Sequence, residues 1–183
     1  KVLKLINLLL YMNQMDEIMN LAKKFNLYVI EDCSQAHGAR YKGKPVGSIG
    51  DIGCWSFCQD KIMTTGGEGG MITTNNKSLW SLMWSYKDHG KSYEAIYERK
   101  QPDGFGFKWV NESFGTNWRL TEMQAAIGRI QLQRMVDWTQ KRQENASAID
   151  LVARDFPLIR VVNVPDYMER AAYKHYLFVV PEY

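Results

Sequence analysis

A chain of 183 residues can hold one domain with a proper core, or one and a half small ones. Its content, 45% hydrophobic and 23% charged, is that of an ordinary globular protein. A formal net charge of +3, with acids and bases interspersed, is too mild to point to nucleic acid, and no dense Lys/Arg run supplies an electrostatic footprint. Cys33, Cys54 and Cys58 have no framework spacing, and Cys54 and Cys58 lack the partner pairs of a zinc site. Reduced thiols in a cytoplasmic protein, with no metal, are therefore expected.

The opening stretch KVLKLINLLLYM is short, apolar and lightly basic. No small-residue cleavage site follows, and the run is too short to span a membrane, so it reads as a buried strand or the edge of one. Met15, Ile18, Met19, Ala22 and Phe25 fall at helical spacing, and Asn26 suits the helix end. LYVIED, residues 27–32, has the pattern of a buried parallel strand with functional groups at its C-terminal end. Turn-rich YKGKPVGSIGD leads to a short strand, IGCWSF, then to a glycine loop and a further strand, GMITT. NKSLWSLMWSYKDHG is helical in pattern, with Trp80, Met83 and Trp84 on one side. From Lys91 to Gly115 the chain reads as a long irregular loop, of the kind that is functional or interface-forming. LTEMQAAIGRIQLQRMVDW is the strongest helix, with Thr121 and Gln124 spaced as a capping box. Its apolar residues cover most of the circumference, which predicts burial on more than one side. Helical character continues to Phe156, and after Pro157 the texture changes to short strands. A second subdomain is expected to start near there.

Several side chains could carry chemistry. A carboxylate at the end of a buried strand, Asp32, needs a partner: a cap, an ion pair, or a cationic ligand such as a protonated pyridine nitrogen. Gln35 could donate to a phenolate oxygen on the same ring, and Ser34 is small enough to let a flat ring approach the backbone. His37 reads as a structural hydrogen-bonder and Cys33 as packing. Ser56, at the end of a strand, can donate to a phosphate. Lys61, five residues on, is either a solvated charge beside a turn or an amine held near that phosphate. The following TTGGEGG is either a hairpin turn or a place where chain and cofactor crowd each other. It is not a P-loop, because the lysine precedes the glycines. Taken as a set, acid, amide, hydroxyl, amine and glycines are explained by one cofactor, pyridoxal phosphate.

VIEDCSQAHGA, SFCQDKIMTTGGEGG and GTNWRLTEMQAAIGRIQL together resemble the DegT/DnrJ/EryC1/StrS family of pyridoxal-phosphate-dependent sugar aminotransferases. The resemblance implies an α/β chain of the aspartate-aminotransferase-like fold type I. Residues 1–150 would form part of the cofactor-binding large domain, and 151–183 the beginning of a truncated small domain. It also implies roles for single residues: Asp32 at the pyridine nitrogen, Ser34 near the ring, Gln35 at the ring hydroxyl and Ser56 at the phosphate. Lys61 would bond the coenzyme aldehyde and then carry a proton between substrate and cofactor. Asn117, in GTNWR, would reach a neighbour's phosphate across a homodimer interface, making the site a shared one. Relatives with histidine in place of this lysine catalyse dehydration, so Lys61 argues for transamination. The implied activity moves an amino group from glutamate to a nucleotide-linked keto sugar, for surface polysaccharide, O-antigen or aminosugar synthesis. The alternative is a catalytically inactive relic or scaffold that keeps the fold. Tyr93, Tyr97 and Trp109 in the long loop would contact the sugar nucleotide or pack a dimer.

Overall fold

The computed structural model describes residues 1–6, 14–100 and 110–180. The chain divides into two compact units: residues 1–73 together with 122–183, and residues 74–121. The expected boundary at 150 falls inside a helix of the first unit.

The first unit begins with β1 (Val2–Ile6), α1 (Met15–Phe25) and β2 (Tyr28–Asp32), in which the two strands pair in parallel with Val2 opposite Tyr28. The apolar stripe of α1 buries Met15 and Ala22, which is why the helix folds back along the strands. Asn26 ends it in the left-handed conformation, with its N–H bonded to carbonyls of the last turn. Next come β3 (Arg40–Tyr41), β4 (Lys44–Pro45) and β5 (Ile52–Ser56). β5 joins β2 in parallel, with Asp32 opposite Cys54, and β6 (Gly70–Thr73) returns antiparallel to β5. Among the described residues the sheet order is β1-β2-β5-β6. Met15, Cys33, Tyr41, Val46, Met168 and Ala171 belong to one buried apolar cluster, and Cys33 is packing as expected.

In the second unit α2 (Lys77–Lys87) is capped by the Asn76 side chain, and Trp80 and Trp84 lie on one side of it, as expected, with ring centres 6.5 Å apart. The stretch from Lys91, read as irregular, contains the helix α3 (Tyr93–Tyr97), started by Ser92, whose hydroxyl accepts the Ala95 N–H. The cap, together with the packing of Tyr93 and Tyr97 against Trp80 and Trp84, holds so short a helix.

Back in the first unit, α4 (Glu122–Ala153) runs unbroken for 32 residues. It was expected to be buried on more than one side, and it is not. Gly128, Ala146 and Ala153 are buried, whereas Met123 and Val136 are 78% and 77% exposed. An apolar surface spread around a helix is covered only if neighbours stand on several sides, and the described residues supply too few. Beyond α4, β7 (Ile159–Val161) pairs with β9 (Leu177–Val179), while β8 (Met168–Glu169) joins β3 and β4. Among the described residues no helix is long and apolar enough to cross a membrane.

Candidate functional site

Alternation along β2 and β5 sorts their side chains onto two faces of the sheet. Val29, Glu31, Gly53 and Trp55 lie on one face, and Ile30, Asp32, Cys54 and Ser56 on the other. On the first face Val29 and Glu31 are fully buried, whereas Asp32, Cys54 and Ser56 are half-buried. Register therefore brings Asp32 and Ser56 to the C-terminal edge of adjacent parallel strands on the same side, with Cys54 between them.

Asp32 is held from its own turn. Its Oδ1 accepts the Ser34 hydroxyl at 2.6 Å and the Ser34 N–H at 3.2 Å. Its Oδ2 faces the Lys4 ammonium at 3.6 Å, so the ion-pair reading is realised in part, with an exposed partner. Burial opposes ionisation, but the Ser34 hydrogen bonds and Lys4 outweigh it and hold the carboxyl below the usual range. A stable carboxylate thus stands on the half-open face. Ser34 acts here by fixing that carboxylate, and Gln35 follows half-buried in the same turn.

The neighbouring Cys54 thiol is pushed up, first by burial and then by the Asp32 charge, and stays a neutral group. The Ser56 hydroxyl accepts the Cys58 N–H at 3.4 Å, which leaves its own hydrogen for another acceptor.

Lys61 lies in the loop between β5 and β6. That loop is tied down at several points. The Lys61 N–H donates to the Cys58 carbonyl at 3.0 Å, the Thr65 N–H to the Phe57 carbonyl, and the Thr64 N–H to Gln131 on α4 at 2.8 Å. Gln124, expected in a capping box, also donates its side-chain amide to the Glu68 carbonyl at 2.6 Å. Gly66 and Gly67 take φ values of +77° and +152°, which L-residues rarely adopt. The loop is therefore a shaped element, and its lysine is half-buried rather than free in solvent. The Lys61 amine stands 5.8 Å from the centre of the Tyr173 ring.

His37 is structural, as expected, and its environment is mainly apolar. It is 3% exposed, packed against Trp55 and Phe57 at ring distances of 5.3 and 6.0 Å, and neither ring nitrogen has a hydrogen bond of ordinary geometry among the described residues. Burial lowers its pKa to about 4, the Ser56 main chain offsets this only in part, and the charges of Lys61 and Arg142 add to it. It is a neutral packing residue because apolar neighbours surround it. It also lines a cleft of about 770 Å³ between the sheet and α4.

Asn117 belongs to the second unit, where its backbone bridges Asp88 and its Oδ1 accepts the Arg119 Nε–H at 2.9 Å. Asp88 is ringed by Lys91, Arg119 and Lys87 at 3.2, 3.6 and 3.9 Å. Tyr93 and Tyr97 stack with Trp84 in that unit, and Trp109 lies outside the described residues.

Sequence reasoning missed two residues. Glu31 accepts the backbone N–H groups of Gly47, Ile49 and Gly50 at 2.8, 2.9 and 2.7 Å and so shapes the turn that feeds β5. An acid inside an otherwise apolar strand was the signal for it. Tyr173 meets Lys61 from a distant part of the chain, with no local pattern to announce it.

The model of the DegT/DnrJ/EryC1/StrS aminotransferase family matches residues 5–183. A GDP-perosamine synthase of Escherichia coli O157:H7 is 41% identical over 132 residues, covering 72% of this chain and 33% of the relative. A dTDP-3-amino-3,6-dideoxy-alpha-D-galactopyranose transaminase of Aneurinibacillus thermoaerophilus is 36% identical over 91% of this chain and 41% of its own length. Among solved structures, an aminotransferase from Psychrobacter cryohalolentis is 55% identical with a TM-score of 0.93, over 98% of this chain and 47% of that one. The chain thus spans a third to a half of the length of the relatives it matches.

Proposed function

Since this chain belongs to the DegT/DnrJ/EryC1/StrS aminotransferase family, we propose that it is a segment of a pyridoxal-phosphate-dependent aminotransferase that takes an amino group from glutamate and gives it to a nucleotide-linked keto sugar. The product would serve surface polysaccharide or aminosugar synthesis in the cytoplasm. The observation that carries the reading is the ionised Asp32 at the end of a central parallel strand, beside the strand that carries Ser56 and leads to Lys61. Residues 1–150 are read as part of the large domain and 151–183 as the start of the small one.

The residues present suit the coenzyme. Asp32 is a fixed anion with one oxygen facing an exposed lysine, as suits a protonated ring nitrogen. Ser56 retains a proton to give to a phosphate, and Gln35 has an amide for the ring oxygen. When bound, the coenzyme supplies an aldehyde for the transferable amine and a ring that withdraws electrons. Lys61 would be the residue that holds the coenzyme through its aldehyde, and its amine would serve as the base and acid that moves a proton. Asp32 would hold the ring nitrogen in its protonated form, and Ser34 keeps Asp32 aimed. Asn117 would act on the phosphate of a second copy, so the functional form is a homodimer.

A second reading, a scaffold that keeps the fold without turnover, is favoured by the exposed apolar surface of α4. Absorbance separates the two. Protein equilibrated with pyridoxal phosphate and freed of excess should carry a visible band that fades when glutamate is added. A band that persists favours the scaffold, and protein that stays colourless contradicts the coenzyme reading.

A further inference from the structure

The geometry points to Tyr173 as a positioning residue for the Lys61 amine: its hydroxyl fastens the main chain at Asp60, and its ring gives the amine a resting place. The inference rests on the reading of Lys61 as the coenzyme-binding amine. Tyr173 lies between β8 and β9, and its Oη donates to the Asp60 carbonyl at 2.8 Å, with the Asp60 carboxylate at 3.3 Å. The next residue is Lys61, whose Nζ stands 5.8 Å from the ring centre, a distance at which an aromatic face attracts an ammonium. One side chain therefore bonds the backbone beside the lysine and faces its charged tip, with the Lys174 ammonium at 5.5 Å from the same ring.

Two further features fit a placed residue. Ala172, just before it, has φ +51°, a left-handed conformation that non-glycine residues adopt rarely, and it turns the chain at this point. Burial and the neighbouring Asp60 charge raise the Tyr173 phenol, so the hydroxyl keeps its proton and remains a donor. Asp60 in turn is held below the usual carboxylate range, first by its bond with the Cys58 thiol, with the Lys61 charge and the Tyr173 hydroxyl adding to it against the opposing effect of burial. On the proposed function, Lys61 would have to be held near its target whenever its amine is free. A wall that holds the free amine near its target shortens its search and keeps it out of bulk water.

The test reads the amine directly, without coenzyme. The unsubstituted protein, Tyr173→Leu and Tyr173→Phe are acylated briefly with a water-soluble active ester, and labelling at Lys61 is quantified by peptide mass spectrometry against Lys42. Lys42 is a suitable reference because Asp16, in the same unit, holds it in an ion pair. Tyr173→Leu should raise labelling at Lys61 about two- to five-fold, as loss of a cation–π contact at a partly exposed site implies, with Lys42 unchanged. Tyr173→Phe keeps the ring and should leave Lys61 near the original rate, while amide exchange in the 58–62 segment accelerates. No change at Lys61 in Tyr173→Leu, a matching rise at Lys42, or equal behaviour of Phe and Leu at Lys61 would each overturn the inference. A parallel arm reduces the unsubstituted protein with borohydride in the presence of pyridoxal phosphate. Absence of coenzyme on Lys61 in that arm sinks the functional reading, while the Tyr173 contact stands or falls on the acylation arm alone.

Discussion

Glu31 and Asp32 are neighbours in one strand and have opposite fates. Glu31 points to the closed face, has no exposed surface and spends its charge on three backbone N–H groups of the 47–50 turn. Asp32 points to the half-open face, is held by Ser34 and keeps an oxygen toward solvent and Lys4. A one-residue step along a strand reverses the side on which a group works. Glu31's face shapes the turn that feeds β5 and, farther along at Trp55 and Thr73, lines the cleft toward α4, whereas the other face carries Asp32 and Ser56 at the strand ends. A pair of acids in a sequence carries no such distinction until the register is known.

The comparison can be broken by substitutions on either side, the largest effect first. Lys61→Ala should abolish covalent capture of pyridoxal phosphate outright while the denaturant midpoint stays where it was, as measured by reductive labelling and urea unfolding. A large drop in stability would mean that the lysine belongs to the scaffold. Glu31→Ala should do the reverse. It strips buried donors of a charged acceptor, at a cost of about 3–5 kcal/mol, and urea unfolding should show a protein near or past its stability limit. Intact stability would show that the turn does not need that carboxylate.

Acid titration probes the closed face at His37. Its folded pKa, about 4, lies below the unfolded value of 6.5, so the unfolded chain binds the proton first. The associated stability is complete above about pH 6.5 and is lost as pH falls toward 4, roughly 3 kcal/mol in all. His37→Phe should flatten that slope, and an unchanged slope would assign it to another group. Asp32→Asn should have the smallest effect on stability, within about 1 kcal/mol, since its ion pair is an exposed one. The same change should weaken coenzyme retention. A loss of stability as large as that of Glu31→Ala would erase the difference between the two faces.

Much of this was legible in advance for local reasons. The stripe of α1, the run ending at Asp32, and the strand-loop-strand around Lys61 are short-range patterns, and each element formed where its periodicity placed it. What was not legible depends on distance in the chain. Glu31 meets donors 16 to 19 residues away, and Tyr173 meets Asp60 across 113. Helix α4 carried a correct signal for a helix and a misleading one for its burial, because periodicity states which surface is apolar and not what covers it. His37 is structural, as expected, but a lone histidine says nothing of the two aromatic rings that fold onto it.

The claim on which the account depends is that the open edge of the sheet delivers one particular amine to the coenzyme. Borohydride reduction of the protein loaded with pyridoxal phosphate, followed by proteolysis and mass mapping, tests it most directly. The expected result is a single pyridoxyl-modified peptide containing Lys61. Modification scattered over surface lysines such as Lys23 and Lys141, with Lys61 untouched, would contradict it.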